Sequence, residues 1–381
     1  MTIFMTGVTG YIGSYVAHGI LENYDDRLAV LVRAKSQEEA RHRLWKSLQM
    51  HMDFDRFAHH LSRFDIYLGD LTSPDLGLDP DARDRLVKSM TSVLHVAASL
   101  NRKSSKVCFN VNLRGTLSVI KLARDAQDHH GLRRFSDVST VAVSGQRHDE
   151  VVTEADSIDW NRSDYDPYAR TKKFCEHMVH ELLPEVPITV FRPSIVLGDS
   201  RFAETTQFDM VRAFAALAQM RVIPLEPDWR VDIAPANYVG KAIYTIHQKD
   251  EAKYDAYNLS SGTASLTYRQ ITDALKAGGH RASIHFVPGL GRVFSAAVEG
   301  AMRTPRKYGL APAASLMKVF WPYLVYNTVF DNSRVVEELG EAPAPFSDYA
   351  HALLEFAVGG GFRYPYVDWP ADAEARLAKV A

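Results

Sequence analysis

Tyr168 and Lys172 stand four residues apart in the segment DPYARTKKFCE, and on a helix that spacing puts both side chains on one face. A phenol titrates near pH 10, so it can give a proton at neutral pH, and a neighbouring ammonium would draw that value down toward a useful range. Some thirty residues earlier, FSDVST ends in Ser139 and Thr140 before running into VAVSG. A strand-end hydroxyl, a phenol and an ammonium can converge on one carbonyl. Tyr168 would supply the proton, and Thr140 would donate to the oxygen on which charge develops. Lys172 would tune the phenol and hold a cofactor ribose. Ser139 competes with Thr140, and spacing back from Gly145 favours Thr140.

Such a site needs an electron source, and the first turn of the chain offers a place for one. In MTIFMTGVTGYIG the glycines Gly7, Gly10 and Gly13 follow an apolar run and precede a helical pattern. Gly7 suits a tight turn, Gly10 a close approach to a pyrophosphate, and Gly13 close packing of helix on strand, with the helix N-terminus attracting phosphate. The dinucleotide cradle expected here is Thr6, Gly7, Thr9, Gly10, Tyr11, Ile12 and Gly13. Where a NAD site normally carries an acid against the ribose 2′-hydroxyl, LVRAKS carries Arg33, which favours a 2′-phosphate and hence NADP(H). Arg43 adds to that charge; Lys35 and Arg41 could too, or could lie on a solvated helix face. Asp70, closing YLGD, is placed to accept from the adenine amino group, with Leu71 beside it.

The elements that must position these groups alternate. Strands are expected at 2–6, 28–32, 64–70, 92–96, 133–139 and 187–193, and helices at 11–21, 36–48, 107–126 and 168–183. That order predicts an α/β fold, a Rossmann-type doubly wound parallel sheet. After Pro193 the alternation loosens, and 231–248 reads as a return to the main domain. The expected division is a cofactor domain of 1–198 with 231–256 and a smaller C-terminal substrate-binding domain of 199–230 with 257–381.

With TGVTGYIG, HVAAS, VNLRGT, the Ser139/Thr140 strand end, Tyr168/Lys172 and FRPSIVLGDS in order, residues 1–260 closely resemble the extended short-chain dehydrogenase/reductases. LVRAKSQEEARHRL, HVAASLN and RPSIVLGDSRF resemble the thioester-reductase and fatty acyl-CoA reductase branch, whose members reduce acyl thioesters with NADPH. The resemblance implies that Ala97 and Ala98, with Ser99, line the cofactor. It implies that Asn112 belongs to a structural and proton-relay network behind Lys172, and that Pro193 and Ser194 contact the nicotinamide carboxamide. It implies an acyl thioester substrate, reduced to aldehyde or alcohol. With no adjoining adenylation or carrier domain in the sequence, the substrate is expected to arrive free, as a coenzyme A ester, or on a separate acyl-carrier protein. Two other readings use the same cofactor half: a dehydrogenase or epimerase acting on a hydroxysteroid, flavonoid-like ketone or nucleotide sugar, and a non-catalytic NADP sensor.

Composition bounds the rest. The 381 residues carry 44 Lys+Arg against 46 Asp+Glu, a net charge of −2, so no bulk positive field draws nucleic acid or an anionic bilayer. No apolar run reaches membrane-spanning length; the nearest, 313–330, is broken by Lys318, Pro322 and Asn327. Its aromatics, Phe320, Trp321, Tyr323, Tyr326 and Phe330, could be core, an acyl tunnel or a lip touching a membrane surface. Cys108 and Cys175 read as buried thiols of a reducing compartment, which favours the cytoplasm. His51, Asp53, Asp55, His59 and His60, and the pair His129/His130, lack a second cluster at ligand spacing. They read as polar helix surface, and no metal site is expected.

Overall fold

Short runs rich in Val, Ile, Leu and Phe form seven parallel strands: β1 (Thr2–Thr6), β2 (Arg27–Val32), β3 (Phe64–Leu68), β4 (Ser92–His95), β5 (Arg134–Val138), β6 (Ile188–Pro193) and β7 (Ala256–Leu259). They pair in the order β7-β6-β5-β4-β1-β2-β3, so the order reverses between β1 and β4, the place where doubly wound sheets open a crevice. The computed structural model describes residues 1–279, 284–303 and 310–379.

Both faces of the sheet are covered, which is why its strands read as continuous apolar runs. In β2, Leu28, Val30 and Val32 enter one core with Val16 and Ile20 of the first helix (Tyr11–Asn23) and Ile243 of the helix Ala236–Gln248. Ala29 and Leu31 enter the other, with Leu86, Val119 and Val179. A further core gathers Phe214, Leu217, Ile271, Leu275, Phe320 and Leu353 away from the sheet. The expected division of the chain is crossed at two places. β7 runs past residue 256 to Leu259, and Val335 and Ala373, from the C-terminal third, pack into the sheet's first core.

Local signals explain the helices. Ser36 accepts from Glu39 N at 3.1 Å to start Gln37–Leu48, and Asp166 accepts from Ala169 N at 2.9 Å to start Pro167–Leu182, with Pro167 in the first turn. Caps of the same kind start Phe54–Leu61, on Asp53, where the sequence suggests polar helix surface, and Pro80–Ser89, on Asp79, which lies outside the expected helices. The helix expected over 107–126 is broken: Ser105–Cys108 leads into a π-helical turn at Phe109–Arg114 and then Gly115–His130. Asn112 sits in that turn, buried, and the wider winding gives it room to face the loop after β4.

Among the described residues no helix is long and apolar enough to cross a membrane. The 313–330 run lies largely in the helix Leu310–Val325, with Pro322 inside it. Cys108 and Cys175 are buried free thiols. The histidines expected on helix surface are partly drawn inward: His60 is buried and pairs with Glu22 at 3.0 Å, and His51 meets Ser14 Oγ at 2.9 Å.

Candidate active site

The carboxyl ends of β1, β2, β4, β5 and β6 open into a cavity of about 580 Å³. At one end lies the first turn. Gly7 takes φ +78°, and a Cβ there would stand 2.6 Å from Ala97 N; a Cβ on Gly13 would stand 2.0 Å from Gly7 O. Any side chain at these two positions collides with backbone, so the turn can close only as glycine. Gly10 caps the first helix with no side-chain hydrogen bond, leaving the first-turn N–H groups to an incoming anion. Thr6, Thr9, Tyr11 and Ile12 line the same wall.

Farther out the wall carries Arg33, Arg43, Asp70 and Leu71. Arg33 lies 3.7 Å from Asp70 Oδ2, and Arg43 Nη1 donates to the Arg33 carbonyl. Donation from Thr72 N and Oγ1, with Arg33 beside it, holds the Asp70 carboxyl below the usual carboxylate range. Lys35 and Arg41 are not on the cavity wall.

Thr140, Tyr168, Pro193 and Ser194 line the same cavity, as do Ala97, which lies against Gly7, and Ala98. Thr140 Oγ1 accepts from Ala142 N at 3.2 Å, which fixes its rotamer at the end of β5. Ser139 also lines the cavity, and its buried hydroxyl has no hydrogen-bond partner among the described residues. Tyr168 is 6% exposed. Burial dominates its proton affinity and pushes the phenol above its ordinary value; Arg102, then Lys172, then Thr140 pull the other way without prevailing. The lowering expected from a neighbouring ammonium is therefore outweighed by desolvation.

Ser99, Asn112 and Lys172 stand behind the cavity wall. Lys172 Nζ lies 3.1 Å and 3.2 Å from the two carboxylate oxygens of Asp137. Burial is the largest influence and opposes its charge, but Asp137, Cys175 and Tyr168 together prevail and raise the ammonium's pKa. Asn112 Oδ1 accepts from Ser99 N at 2.7 Å, and its Nδ2 donates to Ser99 O at 3.2 Å and Thr171 Oγ1 at 3.0 Å. It clamps the loop after β4 onto the Tyr168 helix.

Four residues of the site were not foreseen. Asp137 and Asp232 each interrupt an apolar strand-like run, FSDVS and RVDIA, a pattern that signals a buried charge in need of a partner. Asp232 lines the cavity and accepts from Ser261 N at 2.8 Å through Oδ1, while its Oδ2 has no hydrogen-bond partner among the described residues; burial raises it to about 6. Arg102, in the loop after β4, and Asp166, the helix cap, carried no such signal. Of the aromatic run, Phe320, Tyr323 and Phe330 line the cavity, whereas Trp321 packs on Phe294 at 4.7 Å and Tyr326 on His148 at 4.0 Å.

The residues present fit a dinucleotide. Glycine-only backbone and uncapped N–H groups lie at one end, and at the other the Ser194 hydroxyl and an Asp232 oxygen, both buried and without a hydrogen-bond partner among the described residues. Among the described residues no three His, Cys, Asp or Glu side chains gather as a metal site.

Comparison with known proteins agrees with this geometry. The family described as male sterility protein, an NAD-binding family, matches residues 5–243. An isonitrile lipopeptide synthase of Mycobacterium tuberculosis is 30% identical over 222 residues, 53% of this chain and 8% of the synthase. A carboxylic acid reductase of Mycobacterium marinum is 29% identical over 287 residues, 68% of this chain and 24% of that enzyme. The chain thus corresponds to a minor part of each of these longer proteins. The crystal structure of the terminal R domain from the myxalamid PKS-NRPS biosynthetic pathway superposes with a TM-score of 0.82 at 22% identity, covering 95% of this chain and 91% of that one, a likeness of fold. A parallel sheet with a glycine turn at its switch point, and a family match over most of that sheet, lead to one conclusion: the chain belongs to the male sterility protein family, an NAD-binding family.

Proposed function

We propose that the protein is an NADPH-dependent reductase of acyl thioesters, with Tyr168 as proton donor and Thr140 as donor to the carbonyl oxygen. One observation carries this reading. A single cavity runs from the glycine turn and Arg33 to Tyr168 and Thr140, and continues against the aromatic wall of Phe320, Tyr323 and Phe330. A dinucleotide, a reacting carbonyl and an acyl chain can be held in line.

When bound, NADPH supplies the hydride. The chain's own residues do the rest. Arg33 and Arg43 answer a 2′-phosphate, and the first-turn N–H groups take the pyrophosphate. The raised affinity of Tyr168 for its proton keeps the phenol neutral at pH 7, so it can donate as charge develops on the carbonyl oxygen. Thr140, its Oγ1 already accepting from Ala142 N, is left to donate toward the same oxygen. Lys172, sealed against Asp137, acts on Tyr168 through its field from below the wall. Residues around the core that holds Phe320 form the substrate half, and those around the sheet the cofactor half. The reading implies a thioester delivered on coenzyme A or on a separate carrier.

Incubation with NADPH and a panel of acyl-CoA esters, with products identified by mass spectrometry, tests this. Aldehyde or alcohol from the esters is expected. Turnover confined to a hydroxysteroid or a nucleotide sugar would replace the reading.

A further inference from the structure

The cation beside Tyr168 on the cavity wall is Arg102. Its guanidinium carbon lies 4.8 Å from the centroid of the Tyr168 ring, 4.5 Å from that of Tyr323 and 5.5 Å from that of Phe320. Nη1 donates to Asp166 Oδ2 at 3.1 Å and to Tyr323 Oη, and Tyr323 Oη donates to the same carboxylate oxygen at 2.7 Å. The other oxygen of Asp166 caps the helix that carries Tyr168. One corner of the guanidinium is thereby fixed to the start of that helix. Nε and Nη2 make no hydrogen bond among the described residues, and the side chain keeps 17% of its surface exposed.

A guanidinium is planar, permanently charged and built to donate in a fork. Held rigid by Asp166 and three aromatic rings, with donors unspent on a cavity wall, it is a receptor for a carbonyl or carboxylate oxygen. Lys172 cannot take that part, because Asp137 occupies its ammonium behind the wall.

We propose that Arg102 binds the acyl oxygen of the substrate, so that this oxygen is held by Arg102, Tyr168 and Thr140 together; the inference deepens, and rests on, the thioester-reductase reading. As hydride from the reduced nicotinamide adds to the carbonyl carbon, the π electrons move to oxygen, and Arg102 stabilises the charge without giving up a proton. The proton comes from the Tyr168 hydroxyl, giving a hemithioacetal. On collapse its hydroxyl proton returns to the Tyr168 phenolate, the carbon–sulfur bond breaks to leave aldehyde, and the departing thiolate takes a proton from solvent. Arg102 is then a catalytic residue that the Tyr-x-x-x-Lys pattern does not contain.

Decanoate is the probe, since its carboxylate presents planar oxygens at the end of an acyl chain. It is titrated by calorimetry into the full chain saturated with NADPH, for wild type, Arg102→Gln and Arg102→Lys. Loss of one charged donor is expected to weaken decanoate about ten-fold or more in Arg102→Gln and less in Arg102→Lys, with NADPH affinity unchanged within about three-fold. If Arg102→Gln does not fold, Arg102→Lys decides: weaker decanoate with normal NADPH binding supports the role, and unchanged decanoate overturns it. Equal affinity in wild type and Arg102→Gln overturns it, as does wild type that binds no decanoate, or NADPH affinity that falls in step with decanoate in both variants. Failure of the thioester reading looks different: wild type binds decanoate through Arg102 but does not reduce decanoyl-CoA.

Discussion

Lys172 presents its Nζ to both carboxylate oxygens of Asp137, at 3.1 Å and 3.2 Å, with 1% and 0% of the two side chains exposed. Asp137 lies in β5 and Lys172 on the helix that follows, so the pair fastens the helix bearing Tyr168 to the sheet. Removing one partner strands the other charge in the interior, at a cost of about 3–5 kcal/mol. Asp137→Asn should therefore lower the urea midpoint strongly, whereas Asp84→Asn, which breaks the exposed Lys88–Asp84 pair with 55% and 58% of the two side chains exposed, should not. Because the folded pKa of Lys172 is raised, the pair's contribution is complete below its ordinary value of 10.5 and is lost as pH climbs through the folded value.

Cofactor preference is expected to follow Arg33. Calorimetry should show NADP(H) binding more tightly than NAD(H), with Arg33→Ala narrowing the gap by about 1–3 kcal/mol, the scale of one charge-assisted hydrogen bond. The lower end is favoured, because the Arg33 side chain is 76% exposed. Equal affinities in the unmodified protein would remove Arg33 from the cofactor site.

Tyr168→Phe should lower kcat by about 10²–10⁴-fold, the usual weight of a general acid, while NADPH binding stays nearly intact. Normal turnover by this variant would assign the proton to another group. Stopped-flow oxidation of NADPH, with binding followed by its fluorescence, separates the two quantities.

Acyl chain length should be read by Phe320 and not by its neighbour. Each methylene buried against the cavity's aromatic wall is worth about 0.8 kcal/mol, a few-fold in kcat/KM per carbon until the space is filled. Phe320→Ala should shift the optimum to longer chains. Trp321→Ala, which removes a ring packed on Phe294, should cost stability and leave the optimum where it is.

Acid should destabilise the protein from about pH 6.5 downward through two buried imidazoles. His95, between Thr6 at 2.7 Å and Thr116 at 3.0 Å, is lowered to about 3, chiefly by burial. His247, between Ser92 and Ser136 at 3.0 Å and 2.8 Å, is lowered well below its ordinary value for the same reason. The unfolded chain binds these protons first, so each site costs about 1.4 kcal/mol per pH unit below the unfolded pKa. Urea titrations at pH 7 and pH 5 should show the loss, and His247→Gln should flatten the slope.

Features carried by neighbouring residues were legible without a structure. The glycine turn, the strand–helix alternation and the shared face of Tyr168 and Lys172 depend on local backbone geometry, which a short stretch of chain dictates by itself. Caps such as Asp53 and Asp79 are equally local: the first starts a helix where the sequence suggests polar helix surface, and the second a helix that its cap alone would signal. What Lys172 and Tyr168 touch was decided elsewhere. Asp137 is 35 residues from Lys172, and Tyr323 is 221 residues from Arg102; which charges meet depends on how helices settle on the sheet. Spacing placed an ammonium beside the phenol. Packing gave that ammonium to a buried carboxylate, leaving it to act on the phenol through its field, and brought Arg102 onto the phenol ring as well, because a charge sealed from water must take its nearest counter-ion, while one on a cavity wall can keep donors free.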